Sequence, residues 1–245
     1  MTKRTKIKKF NCCPKLSRPV VIPTRKEILE ILDDLRPFVV NQIYSIDELI
    51  QDYGVFIGSR FNVDVKHAEA AAVDQNDIEI NGYYDGGLDE AEDTAIEIYL
   101  ITNPMQDAMI LDSEQFDFIS RKIADTLTHE VIHMSQFRAR DFLEIEKWEF
   151  TDYDDEGDYD EEEENRWYLS SPDEINAYAY NIANELLDRH DLKVVMTKLN
   201  NIKDISINDS INLWAYVHAF SKDTTHPVMK RLIKRVYKSL MTLSK

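Results

Sequence analysis

The sequence predicts an α+β fold, with a small antiparallel or mixed sheet in the first half of the chain and a mostly helical second half. Two periodicities carry this. Apolar residues alternate with polar ones at Phe61, Val63 and Val65, at Ile78 and Ile80, and at Ile96, Ile98 and Leu100, the pattern of strands with one buried face. From residue 113 onward the apolar spacing becomes three and four, the pattern of amphipathic helices. A length of 245 residues with 43% hydrophobic content is enough for one elaborated domain with a real core.

The elements follow in order. Thr24 and Glu27 form a capping-box signal, and Ile28, Ile31, Leu32 and Leu35 then mark one apolar face that Pro37 is expected to stop. Ser45 and Glu48 repeat the signal before a shorter helix near 46–53. Between the strands, Asn81–Gly82 and Gly86–Gly87 supply turn chemistry. A long helix over 113–139 places Ile119, Ile123, Leu127, Val131 and Met134 on one stripe. Ile175, Ala179, Ile182 and Leu186 do the same over 171–189, and two more helices are expected near 208–220 and 226–243. In the last of these, Met229, Leu232, Ile233, Val236 and Leu240 oppose a solvated basic face of Lys230, Arg231, Lys234, Arg235 and Lys238.

Charge divides the chain. The net charge is −17, yet residues 1–26 carry nine bases and no acid, while residues 152–164 carry ten acids and no base. This predicts a basic N-terminal arm at 1–22 and a single domain over 23–245 with an acidic insertion at 150–165. An acidic body is unsuited to coating nucleic acid, which leaves the basic arm as the only handle for such a partner. The two cysteines, Cys12 and Cys13, are adjacent in the arm and give no disulfide framework. No apolar run approaches 18 residues and no signal-peptide core is visible, so the expectation is a soluble cytoplasmic protein with no membrane partner.

One motif carries chemistry. Thr128-His129-Glu130-Val131-Ile132-His133-Met134 contains H-E-x-x-H inside the strongest helical pattern. On a helix, positions four apart sit about 40° apart and one turn up, so His129 and His133 can aim two imidazoles at one point. Zinc accepts neutral imidazole nitrogen, and Glu130 projects beside the pair, free to serve as a general base.

On these residues the chain resembles the zincin metallopeptidases, over roughly 96–189. The metzincin pattern would need Gly at 136 and His at 139; the chain has Gln136 and Ala139. Instead, Glu174-x-x-Ala177 within Ser170–Ala179 looks like the ligand helix of a gluzincin, and the wider phrase is reminiscent of uncharacterised phage-encoded proteins. The resemblance implies one catalytic zinc held by His129, His133 and Glu174, with Glu130 as the general base of peptide-bond hydrolysis. It also implies a protein or peptide substrate laid along a sheet edge, for which Ile96–Ile101 is the candidate. The setting would be host cytoplasm, or a virion if the chain is phage-encoded.

Several alternatives stay open. Ser171, Pro172 and Glu174 also fit a cap, a Pro at N1 and a capping-box Glu, which would hold Glu174 away from metal; Ser170 with Asp173 would release it. Other third ligands are Glu144, Glu146, Glu149 and His190. Some gluzincins carry an Asp four residues after the ligand Glu to orient a zinc histidine. Here that position is Tyr178, so Asp125, one turn before His129, is the candidate orienter. Tyr168, Tyr178, Tyr180, His218 and His226 are candidate oxyanion donors, with His218 better read as a packed core residue. His67 carries no supporting pattern. The competing functions are a non-catalytic zincin-fold structural or assembly protein, such as a virion component, and an acidic nucleic-acid mimic.

Overall fold

Capping chemistry sets the first elements of the computed structural model, which describes residues 23–75, 77–143 and 160–244. The basic arm with Cys12 and Cys13, the acidic run up to residue 159, and Glu144, Glu146 and Glu149 lie outside the described residues. The Thr24 hydroxyl accepts from the Glu27 backbone N–H while the Glu27 carboxylate accepts from the Thr24 N–H at 2.7 Å, opening helix α1 (Arg25–Asp33). Pro37 does not end the helical path. It sits in the first turn of a second short helix, α2 (Arg36–Val39), where its missing N–H has no intrahelical partner to lose. The Ser45–Glu48 box then caps α3 (Ile46–Tyr53) as expected.

The main sheet has three strands, β2 (Val63–Glu69), β3 (Glu79–Tyr84) and β4 (Ile96–Thr102), in the order β2-β4-β3. It is mixed: β2 runs parallel to β4 with Val63 opposite Ile96, and β3 runs antiparallel with Gly82 opposite Ile98. The expected edge, Ile96–Ile101, is therefore the central strand, and the edge beside the long helix is β3. Alternation of apolar residues reports which face is buried, not how many strands flank it. Asn81 and Gly82 lie within β3, and Gly86–Gly87 open a short helix α5 (Gly86–Glu90) capped by Asp85, so neither pair makes the expected turn. A second sheet pairs β1 (Ile43–Ser45) with β5 (Ala108–Ile110), strands of three residues that are too short to show a period. A short helix, α4 (Ser59–Phe61), precedes β2.

The helical elements follow: α6 (Ser113–Ala139), α7 (Glu161–Ser170), α8 (Pro172–Arg189), α9 (Leu192–Asn200), α10 (Ile211–Ala219) and α11 (Pro227–Leu243). Asp112 and Gln115 cap α6. The end of the acidic run is helix rather than loop: Asp160 caps α7, and Glu161–Glu164 form its first turn, where negative charge favours a helix N-terminus. The chain pattern gave no warning of α9, which buries only Val195 and Leu199. On α11, Met229, Leu232, Val236 and Leu240 are buried and Lys230, Lys234, Arg235 and Lys238 exposed, as the pattern implied. Among the described residues no helix is long and apolar enough to cross a membrane.

Two apolar clusters result. One joins α1, α3 and the main sheet to Phe116, Ile119, Ile123, Leu127 and Val131 of α6. The other joins Ile175, Ile182 and Leu186 of α8 to α9, α10 and α11. Each large side chain so buried contributes roughly 1.5–3 kcal/mol. With α6 committed to one cluster and α8 to the other, the faces these helices turn to each other are free to be polar.

Candidate metal centre

Asp125, His129, His133, Gln136 and Arg140 climb α6 at helical spacing, and their partners on α8 descend from Asp188 through Asn181 and Glu174 to Asp173, so the two helices run antiparallel along a polar seam. At one end Arg25 of α1 enters: its Nε lies 2.7 Å from Asp125 Oδ1, and its guanidinium also pairs with Asp188. At the other end Arg140 grips Asp173 with two bonds of 2.8 Å each. Between them, His129 Nε2 lies 3.2 Å from Glu174 Oε2 and His133 Nε2 lies 3.2 Å from Glu174 Oε1. The exposures of His129, His133 and Glu174 are only 7%, 9% and 9%, so the protein itself, not bulk water, sets their chemistry. One donor atom from each lies within 4.8 Å of the others. Ala177, fully buried one turn after Glu174, adds no side-chain bulk beyond Cβ.

The competition for Glu174 is resolved by both serines. Ser171 is the N-cap of α8, but its hydroxyl accepts from the Asp173 N–H at 3.3 Å. Ser170 donates to the Trp167 carbonyl at the end of α7, and Asp173 is taken by Arg140. The Glu174 carboxylate is left to the histidines. Burial works to raise its pKa, but the hydrogen bonds and charge of the two imidazoles outweigh burial and hold it at about 2. For His133 burial pulls downward, and the Glu174 carboxylate overcomes it and raises the ring.

Glu130 is buried beside the triad, and burial raises its carboxyl against the pull of His129 and His133. It faces β3 at Gly82, where an added Cβ would stand 2.8 Å from Glu130 Oε1 and 2.5 Å from Thr126 Cγ2. Gly82 is thus demanded by close approach of strand and helix.

Other expectations move. Asp125 does not orient His129; it is held by Arg25. The residue at His129 Nδ1 is Asn181, whose Nδ2 is 3.5 Å away while its Oδ1 is buried with no hydrogen-bond partner. Exchanging the two ends of that amide lets Oδ1 accept from a protonated Nδ1, which satisfies the orphan and leaves Nε2 as the ligand nitrogen. A metal-ligating imidazole needs that arrangement, so the donor set fits a metal ion. Asn181 is seven residues after Glu174, two turns on the same face, and that spacing was available in the sequence. Tyr178 instead lays its ring edge-on to His129, with centroids 4.7 Å apart.

Of the candidate donors, Tyr168 and Tyr178 reach the site. The Tyr168 hydroxyl has its pKa raised by burial and by the nearby Glu174 charge, and its ring lies edge-on to that of Tyr178. Tyr180 interacts instead with Asn184, Arg25 and Asp125. His218 is exposed against Trp214 rather than packed in the core, and His226 caps α11. His190 pairs with Asp209 at 2.8 Å and His67 lies 2.9 Å from Thr102, so neither joins the site.

The buried group of His129, His133 and Glu174 can therefore hold a metal ion. No family model, no curated protein and no solved structure matches the chain.

Proposed function

We propose that the protein is a zinc-dependent peptidase of zincin-like, gluzincin-type build. The observation that carries this is the convergence of two imidazole Nε2 atoms, each 3.2 Å from a different oxygen of one buried carboxylate, with a further buried carboxyl at Glu130. Two histidines and one carboxylate suit zinc and leave a coordination position open. When bound there, zinc supplies Lewis acidity to a water and to the substrate carbonyl. Glu130 takes the proton from the attacking water and returns it to the leaving amine, a role that favours a carboxyl raised by burial. Tyr168, which keeps its proton and is 42% exposed beside Glu174, donates to the developing oxyanion. A peptide adds as a strand along the outer edge of β3, because Gly82 brings that strand against Glu130.

One observation favours a second reading. The Glu174 carboxylate already bonds both histidines, so the triad can satisfy itself as a structural pin in a non-catalytic protein. Metal analysis and a degenerate peptide library, run on the wild type and on Glu130→Gln, separate the two. Stoichiometric zinc in both, with cleavage only by the wild type, supports the peptidase. Equal cleavage, or none, in two zinc-loaded proteins supports the pin.

A further inference from the structure

Gln136 is a part of the seam that the peptidase reading does not use. It lies one turn beyond His133 on α6, and its two amide ends face two different helices. Its Oε1 is 3.1 Å from His133 Nδ1, and its Nε2 is 3.2 Å from the backbone carbonyl of Asp173, the residue immediately before Glu174. A carbonyl oxygen can only accept, so the amide NH2 must be the end that faces Asp173. The amide oxygen must then be the end that faces His133. An oxygen also only accepts, so Nδ1 of His133 must carry the hydrogen. The other ring nitrogen, Nε2, donates to Glu174 Oε1 when the site holds no metal, and is the one freed to meet an ion. A side-chain amide has this ability because it is donor and acceptor at once, at fixed separation.

We infer that Gln136 is a positioning residue that fixes the His133 proton on Nδ1 and ties that ring to the α8 backbone beside Glu174. The inference rests on the metal centre proposed above for its purpose, though not for its geometry. One side chain thus sets the tautomer of a candidate ligand on one helix and its spacing from a candidate ligand on the other. Arg140, four residues on, closes on the Asp173 side chain and holds the same stretch of α8 in place.

The test uses full-length, 15N-labelled protein and long-range imidazole 1H–15N spectra, recorded metal-free from about pH 6 to about pH 10 and again with one equivalent of zinc. In the wild type, His133 Nδ1 should keep the shift of a protonated nitrogen throughout. In Gln136→Met it should move toward the mixture dominated by the Nε2–H form that free imidazole prefers. Gln136→Glu should retain the Nδ1–H, since a carboxylate oxygen still accepts from it, while losing the bond to Asp173. Zinc affinity, measured by chelator competition, should fall about 10- to 100-fold in Gln136→Met and less in Gln136→Glu. A merely structural glutamine would lower the melting temperature without moving the tautomer. A bare Nδ1 in the wild type overturns the inference, as does a Gln136→Met protein with unchanged shift. If Gln136→Met does not fold, the wild-type and Gln136→Glu spectra decide. A wild type that keeps Nδ1–H but takes up no zinc sustains the Gln136 lock and sinks the peptidase reading.

Discussion

The ends of the α6–α8 seam and its middle use the same kinds of side chain to opposite effect. At each end an arginine meets carboxylates directly: Arg25 holds Asp125 and Asp188, and Arg140 holds Asp173. In the middle, among the described residues, no lysine or arginine pairs with Glu174, whose partners are two imidazoles. Arginine cannot give up its charge, so each end keeps a fixed cation beside its carboxylates. Imidazole can be neutral, so the middle is the one stretch where a doubly charged cation can replace protons as the counter-charge. The ends hold the helices together; the middle is where an ion can bind.

The sharpest way to break this contrast is to remove the counter-charge site. Chelation of zinc-loaded protein at a metal excess of 1,000 times Kd should lower stability by about 4 kcal/mol, and Glu174→Gln should abolish that response. Differential scanning fluorimetry with and without chelator reads it. Next, Glu130→Gln should leave zinc content intact and lower the rate of peptide cleavage by about 10²- to 10⁴-fold.

The ends should respond in stability alone. Arg25→Met leaves the largely buried Asp125 carboxylate uncompensated, and should cost about 3 kcal/mol in urea unfolding with zinc affinity little changed. Adding Asp125→Asn should recover part of the loss. Asp188, at 40% side-chain exposure, is solvated and should matter little.

The smallest effect lies outside the seam and serves as its control. Burial raises the Asp209 carboxyl, but hydrogen bonds from Lys198, Ser206 and His190 more than reverse that and hold it below the ordinary range. A depressed folded-state pKa contributes stability above the unfolded value of about 4 and loses it as pH falls below that value. Asp209→Asn should therefore destabilise by about 1 kcal/mol near neutral pH and flatten the loss of stability on acidification, without altering metal uptake.

The sequence showed some of this plainly. Long periodic helices and short capping signals were readable: α6 and α8 lie within a residue of where their apolar stripes put them, and the boxes at Thr24 and Ser45 form as their spacing requires. The pairing of His129 with His133 was readable too, because i, i+4 spacing on a helix is a local fact, whereas Glu174 on another helix was offered only by the family resemblance. What could not be read depends on long-range pairing. Whether β4 is an edge depends on β2 and β3 both finding it. Gly82 reads as a turn residue unless the helix it meets is known. Asp125 stands one turn before His129 and looked like its orienter, but Arg25, a hundred residues away, claims it. Asn181 and Gln136 were within reach, lying at helical spacing from Glu174 and His133, yet an amide at such a spacing announces nothing until its partner is in view.

The division of the candidate ligands between two helices has a consequence for how a newly made chain could come by a metal. Synthesis delivers His129 and His133 first, and Glu174 is 45 positions behind the first of them. Asp188, which Arg25 must reach across 163 positions, arrives later still. Until then the growing polypeptide offers a lone histidine pair, a weak trap that any stronger chelator in the cell outcompetes. An ion taken up by this group would thus have to wait until α8 has left the ribosome, and the peptidase site proposed above would stay incomplete while its own chain is still being threaded out.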